Sequence, residues 1–124
     1  MTRRGDLLRL LADGELHSGE ELAARLSISR AAVWKHVRQL GDWGIEWQAT
    51  PGRGYQLAHP VELLDAVAIK RELPQLAAGR LRQLEVHEEL GSTSDRLLAV
   101  TDLPAGRFDA CLAEFQTAGR GRQG

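Results

Sequence analysis

At 124 residues the chain has room for one domain, or for one small domain and part of another. Its 43% hydrophobic and 27% charged residues are typical of a soluble globular protein. The net charge of −1 means that any nucleic-acid reader here must concentrate its cations locally.

The single cysteine excludes an intramolecular disulfide and fits a reducing compartment. Because Cys111 lies in an apolar run, we expect it in the core rather than as a nucleophile. The first residues contain only a short, charge-interrupted apolar stretch, so we expect no signal peptide and no membrane span. A cytoplasmic location is the resulting prediction.

Two helices are predicted before residue 27. Leucines with helical spacing and the closing Asp13-Gly14 predict the first over residues 4–12. Ser18-Gly19-Glu20-Glu21 fits a capping box, so a second helix begins near Gly19. Its inward residues would be Leu22, Ala23 and Leu26.

A third helix is predicted from an N-cap at Ser29 to a stop at Gly44. Val33, Val37 and Leu40 recur at i, i+4 and i+7 and form one stripe to be buried. The opposite side carries Ala31, Lys35, Arg38 and Gln39, with Arg30 and Trp34 at its edges.

The tight turn at 26–28 between the second and third helices predicts a helix-turn-helix, whose second helix can enter a DNA major groove. No carboxylate occurs between Leu22 and Gly41, so the third helix has a cationic surface. The alternative is an ordinary amphipathic helix with a solvated basic face.

After Gly44 the apolar period changes from helical to alternating. Ile45 and Trp47, the turn 51–54, and Tyr55 with Leu57 predict a β-hairpin. Three helices and a hairpin make a winged helix, with Arg53 at the tip of the wing, suited to a phosphate or a minor groove. The alternative for Arg53 is a solvated turn residue.

The predicted fold class is therefore α+β, with a winged helix-turn-helix DNA-binding domain at 1–60 and a boundary at Pro60. Beyond it, apolar residues from Leu63 to Leu73 predict a helix ending before Pro74. Strands are predicted around Leu84 and over 110–115, with a helix capped by Ser92 or Thr93 between them.

The chain closes on a glycine- and arginine-rich stretch, Gly119-Arg120-Gly121-Arg122-Gln123-Gly124. Such a loop offers close backbone approach and positive charge for an anion, although a flexible basic tail has the same composition. The histidines and the cysteine show no metal-ligand spacing, so no metal site is predicted.

Four segments together resemble one known family: SRAAVWKHVRQLGDWGIE, PGRGYQL, GSTSDRLL and AEFQTAGRGRQG. In this order and spacing they are similar to the N-terminal part of the bifunctional biotin–protein ligase and biotin-operon repressor family, of BirA type. The resemblance implies that 61–124 is the N-terminal, truncated α/β segment of the ligase catalytic domain.

The resemblance implies an enzyme that condenses biotin with ATP to biotinyl-5′-AMP and transfers biotin to a lysine of a biotin carboxyl-carrier protein. Mg²⁺ could accompany the ATP. Loaded with the adenylate as corepressor, such proteins form a homodimer on operator DNA.

The helix-turn-helix and the wing predict DNA contacts by Ser29, Arg30, Ala31 and Lys35 near the groove, and by Arg38 and Arg53 on phosphates. The resemblance assigns the ligand contacts. Biotin and adenylate contacts fall to Ser92, Thr93, Ser94, Gln116, Gly119, Arg120, Gly121, Arg122 and Gly124. At position 94 many relatives have Asn instead of Ser.

No catalytic residue is assigned, because the family's lysine-bearing strand region, its Trp-Pro-Asn-Asp-type segment and its C-terminal barrel have no counterpart here. We therefore expect loose packing of 61–124, no ligase activity from this chain by itself, and weak DNA binding. Two alternatives remain: a ligand-independent winged-helix DNA-binding regulator, and a protein-interaction module without ligase activity, for which the tryptophans would be the contact residues.

Overall fold

A computed structural model of the protein describes residues 2–121. The chain divides into two compact units, with the boundary between Leu63 and Leu64. The predicted boundary at Pro60 lies shortly before this point. Val61 stays with the first unit because its amide donates to the carbonyl oxygen of Ala12 at 2.9 Å.

The first unit is the predicted winged helix. It contains α1 (Arg3–Leu11), α2 (Gly19–Leu26), α3 (Arg30–Leu40), a 3-10 turn (Gly41–Trp43), β1 (Trp47–Thr50) and β2 (Gly54–Leu57). The two strands pair in antiparallel register from Trp47 opposite Leu57 to Thr50 opposite Gly54. The predicted combination of helices and strands, and hence the α+β fold class, is confirmed.

One apolar cluster holds the first unit together. Its members are Leu7, Leu8, Leu11, Leu22, Ala23, Leu26, Val33, Val37, Leu40 and Leu57. Each fully buried leucine or valine contributes about 1.5–3 kcal/mol relative to an exposed one. The three helices and the wing therefore share a single core.

Side-chain caps place the helix starts. The Ser18 hydroxyl oxygen accepts from the Glu21 amide at 3.0 Å, and that of Ser29 accepts from the Ala32 amide at 3.1 Å. The α-helical part of the third helix ends at Leu40, earlier than predicted. A 3-10 turn then carries the chain to Gly44, which adopts a φ of +75°.

The second unit contains α4 (Ala66–Glu72), α5 (Gln75–Arg80), β3 (Leu81–Leu90), α6 (Thr93–Leu98) and β4 (Phe108–Gln116). Strands β3 and β4 pair in parallel. Among the residues described, Cys111 is the one buried apolar side chain of this unit. Its apolar side chains are therefore much less well covered than those of the first unit.

Two details of the second unit differ from the sequence-based expectation. The predicted helix begins only at Ala66, because the Asp65 carboxylate caps it by accepting from the Ala68 amide at 2.9 Å. Helix α5 was not predicted, since Pro74 was interpreted as a stop although it precedes a new helix. Within residues 2–121 no helix has the length and apolar character needed to cross a membrane.

Candidate nucleic-acid interface

Helix α3 presents one buried face and one exposed cationic face. Val33 and Val37 have no exposed surface, whereas Arg30, Lys35 and Arg38 are exposed. The buried stripe fixes the rotation of the helix, so the cations must point away from the core. The predicted division of this helix into two faces is confirmed.

The start of α3 is accessible as well. Ser29 and Ala31 are exposed beside Arg30. The Ser29 hydroxyl accepts a hydrogen bond as N-cap, but its own proton is still available to an acceptor such as a phosphate oxygen. Small side chains at this end would also allow close approach of another surface.

Arg25, a cation of the preceding helix α2, lies close to the carboxylate of Glu21. Arg25 of α2 lies 3.8 Å from the carboxylate of Glu21, which is also 3.7 Å from His17 Nδ1. The Asp13 carboxylate accepts from the Glu15 amide and contacts His17, and these contacts lower the pKa of Asp13. Two acids of the first unit, Asp13 and Glu21, therefore lie beside His17 at the entry to α2.

The wing is attached to the rest of the unit at its base. The amide of His17 donates to the Tyr55 carbonyl at 2.9 Å, and the Tyr55 amide donates to the His17 carbonyl at 2.8 Å. This paired contact with β2 was not predicted. Gly54, with a φ of +136°, lies so close to His17 and Ser18 that a β-carbon would overlap them.

Aromatic rings fill the seam between α3 and the wing. The Trp34 ring meets Trp47 edge-on with centroids 5.6 Å apart and stacks on Tyr55 at 6.1 Å. The Arg38 guanidinium lies 5.9 Å from the Trp34 ring centre. Such aromatic pairs add about 0.5–1.5 kcal/mol each beyond their buried area, so the seam limits movement of the wing against α3.

An open cleft of about 620 Å³ separates the start of α3 from the wing. Arg30 and Arg53 both line it, together with Gly19 and Trp34, while Glu20 is the carboxylate of the lining. The structure thus brings two of the predicted DNA-contacting arginines to one cleft. Lys35 and Arg38 lie further along α3, outside that lining.

The predicted ligand residues of the second unit gather at the carboxyl ends of β3 and β4. The side-chain oxygen of Gln116 accepts from the Thr93 amide at 2.8 Å and from its hydroxyl at 3.1 Å. Ser92 is buried and caps α6 by accepting from the Asp95 amide at 3.3 Å. Ser94 is exposed on the same short helix.

The start of the glycine-rich loop adjoins these residues. A β-carbon at Gly119 would lie 3.2 Å from the Gln116 amide nitrogen, and the Arg120 guanidinium pairs with the Asp95 carboxylate. Gly121 is exposed. Arg122 and Gly124, the other predicted members of this group, lie outside the described residues.

The fold also joins side chains that the sequence leaves apart. Glu85 and His87 of β3 lie next to Cys111 of β4, and one donor atom from each lies within 4.8 Å of the others. No metal site was predicted from the sequence, because these residues have no ligand spacing along the chain. Burial raises the pKa of the Cys111 thiol, which agrees with a core position rather than that of a free nucleophile.

Comparison with known proteins covers both units. Residues 3–56 match the family model of a helix-turn-helix (HTH) domain. The Bifunctional ligase/repressor BirA of Salmonella typhimurium is 49% identical over 119 residues, and that of Escherichia coli is 47% identical. Each alignment covers 95% of this chain and 35% of the relative.

The protein of the same name from Bacillus subtilis is 36% identical over 125 residues, which cover 98% of this chain and 37% of the relative. The chain thus spans about a third of the length of these curated relatives. Residues 3–56 are therefore similar to a helix-turn-helix domain, and nearly the whole chain is similar to part of the proteins named Bifunctional ligase/repressor BirA.

Proposed function

We propose that the first unit is the DNA-binding repressor part of a bifunctional biotin ligase and repressor. The observation that carries this proposal is the cleft between α3 and the wing, whose lining includes both Arg30 and Arg53. Two cations that line a common cleft are suited to engage one duplex, Arg30 at the groove and Arg53 at a phosphate. The relatives named as ligase/repressor proteins favour the same function.

Each group of residues has a different role in this proposal. Ser29, Arg30, Ala31 and Lys35 face the major groove, where a good bidentate base contact discriminates by about 1–3 kcal/mol. Arg38 and Arg53 contact phosphates, which position the protein without reading sequence. The seam at Trp34 holds the helix and the wing at a fixed spacing on the duplex.

A selection from a randomised duplex library, followed by gel-shift titration of the enriched and scrambled sequences, tests sequence-specific binding. We expect tighter binding to the enriched duplex than to the scrambled one. Equal affinity for both duplexes would refute specific readout. No binding to either at low salt would favour a protein-interaction module.

Charge variants then separate the two kinds of contact. Arg53→Gln should weaken binding to enriched and scrambled DNA alike and reduce the salt slope by about 1, because one phosphate contact is lost. Arg30→Gln should also reduce the preference for the enriched duplex. The matched control is Arg71→Gln, an exposed arginine of α4, for which we expect unchanged binding.

We also propose that the second unit binds biotin and its adenylate, as the ligase name of the relatives suggests. Ser92 and Thr93 would contact biotin, Gln116 would help to fix its ureido group, and Ser94 would lie beside them. Gly119, Arg120 and Gly121, followed by Arg122 and Gly124, would close over biotinyl-5′-AMP. The contacts between Thr93, Gln116 and Gly119 favour one shared site.

The complete activity would use biotin and ATP, with Mg²⁺ accompanying the ATP, and would biotinylate a carboxyl-carrier protein in the cytoplasm. The adenylate would act as corepressor of a DNA-bound homodimer. We expect residues 1–60 to fold by themselves and 61–124 to bind biotin weakly.

Amide chemical-shift titration with biotin up to roughly millimolar concentration detects such weak binding. We expect the Thr93 and Gln116 signals to move while Ala68, on α4, stays unchanged. Micromolar affinity would contradict the expectation of weak binding. An absence of shifts at the highest concentration would contradict the residue assignment.

A further inference from the structure

Three side chains of different chemistry converge on one face of the β3–β4 pair. Glu85 lies opposite Cys111 in the parallel register, and His87 lies opposite Ala113. Because side chains alternate between the two faces of a strand, Glu85 and His87 share a face with Cys111. A carboxylate oxygen, an imidazole nitrogen and the sulfur all lie within 4.8 Å of one another.

These donor types are those of a zinc site. Zn²⁺ binds thiolate sulfur at about 2.3 Å and histidine nitrogen or carboxylate oxygen at about 2.0–2.2 Å. In tetrahedral geometry such bonds separate the donors by roughly 3.3–3.8 Å. The Glu85 Oε2 and His87 Nε2 atoms are already 3.2 Å apart, so small side-chain rotations would open the required space.

The surroundings provide both shielding and support. Cys111 is only 8% exposed, whereas the His87 side chain is 32% exposed, so the cluster is open to solvent on one side. Arg96 of α6 donates to Glu85 Oε1. This leaves Oε2 for a cation, while Arg96 orients the carboxylate as outer partners of metal ligands do.

The charges also balance. A thiolate and a carboxylate contribute two negative charges, which a divalent cation neutralises, and neutral His87 adds a third ligand. On binding, the Cys111 thiol releases its proton to solvent and His87 exchanges its contact with Glu85 for the metal. A water molecule entering from the open side would complete four ligands.

We propose that Glu85, His87 and Cys111 form a binding site for a borderline-soft divalent cation, with Zn²⁺ as the best match. The site uses the face of β4 opposite to that of Gln116, since positions 111 and 116 differ by an odd number of residues on one strand. It does not depend on the proposed DNA or biotin functions. Its bound metal would cross-link β3 and β4, which have few buried apolar contacts of their own.

Titration of the whole chain with Co²⁺, a spectroscopic substitute for Zn²⁺, tests the proposal directly. We expect one equivalent to bind, with a thiolate-to-cobalt charge-transfer absorption that Zn²⁺ abolishes by displacement. His87→Gln should weaken binding by at least about tenfold. His59→Gln, at an exposed histidine of the first unit, should leave it unchanged.

The simpler explanation is that Glu85 only joins His87 and Arg96 in a salt-bridge cluster. It predicts no charge-transfer band, or equal Co²⁺ affinity in His87→Gln and the wild type, and either result would overturn the metal site. Cys111→Ser should abolish the band. If that variant unfolds, the wild type and the two histidine variants still decide the question.

Discussion

Gly54 is the position where the wing touches the entry to α2, and Gly54→Ala is the substitution that tests this contact. A β-carbon there would lie 2.6 Å from the His17 carbonyl carbon and 2.7 Å from the Ser18 α-carbon. Both neighbours are backbone atoms and cannot rotate away. The wing would have to move off His17, against its two hydrogen bonds with Tyr55.

The expected loss of stability has two parts. A non-glycine residue in this backbone conformation costs about 1–3 kcal/mol. Two weakened hydrogen bonds cost about 0.5–1.5 kcal/mol each. The total of roughly 2–6 kcal/mol is a large share of the stability that a unit of this size can have, at about 0.05–0.15 kcal/mol per residue.

Gly52→Ala is the matched control. Gly52 also has a positive φ, +72°, but no atom lies within 4 Å of its β-carbon position. The control should therefore lose only about 1–2 kcal/mol, the cost of a left-handed conformation. Urea denaturation followed by far-ultraviolet circular dichroism measures both variants.

Equal losses in the two variants would refute the close packing of Gly54 on His17. A wild-type urea midpoint in Gly54→Ala would refute both the contact and the strained backbone. A larger loss in Gly54→Ala, accompanied by weaker protection of the Tyr55 amide from hydrogen exchange, is the result that we expect.

Two further predictions concern the core of the first unit and the strand pair of the second. Leu40→Ala should destabilise the first unit by about 2–5 kcal/mol in urea denaturation, because Leu40 has no exposed surface. The control Leu98→Ala, at a residue that is 78% exposed, should be nearly neutral. Equal effects of the two substitutions would contradict the assigned burial. In the second unit, a hydrogen bond from Arg82 lowers the pKa of Asp109. The ion pair therefore stabilises the folded state at any pH above the ordinary aspartate pKa of about 3.9. This stability is lost as the pH falls through the lower pKa that Asp109 has in the folded state. Asp109→Asn should therefore remove part of the acid-induced loss of stability. Thermal denaturation across about pH 2–6 measures this loss, and an unchanged pH profile in the variant would contradict the prediction.

Local signals in the sequence identified most elements of the fold. The hydroxyl caps at Ser18, Ser29 and Ser92 each act within one helical turn, so they are visible in a short stretch of sequence. The stripe of Val33, Val37 and Leu40 similarly fixed which face of α3 is buried.

Contacts between distant segments were harder to predict. Helix α5 has no buried residue, and Leu76 is 69% exposed, so no apolar stripe marks it. The pairing of His17 with Tyr55 depends on where the hairpin folds back, which the residues near His17 do not indicate. Glu85 and Cys111 meet only because β3 and β4 pair in a particular register.

In the candidate DNA interface too, features set by neighbouring residues could be predicted, and contacts between distant segments could not. The cations of α3 were predictable from helical spacing, and Arg53 from the turn glycines around it. That Arg30 and Arg53 line one cleft could not be predicted, because their distance depends on how the aromatic seam positions the wing.

The seam at Trp34 and Trp47 has a practical consequence for observing the two units separately. The chain has three tryptophans, and the third, Trp43, lies under the Arg4 guanidinium in the first unit as well. Intrinsic indole emission therefore reports on the winged helix alone, while backbone circular dichroism records both units. A chain whose two signals change at different denaturant concentrations would reveal, without any label, how far the units unfold independently.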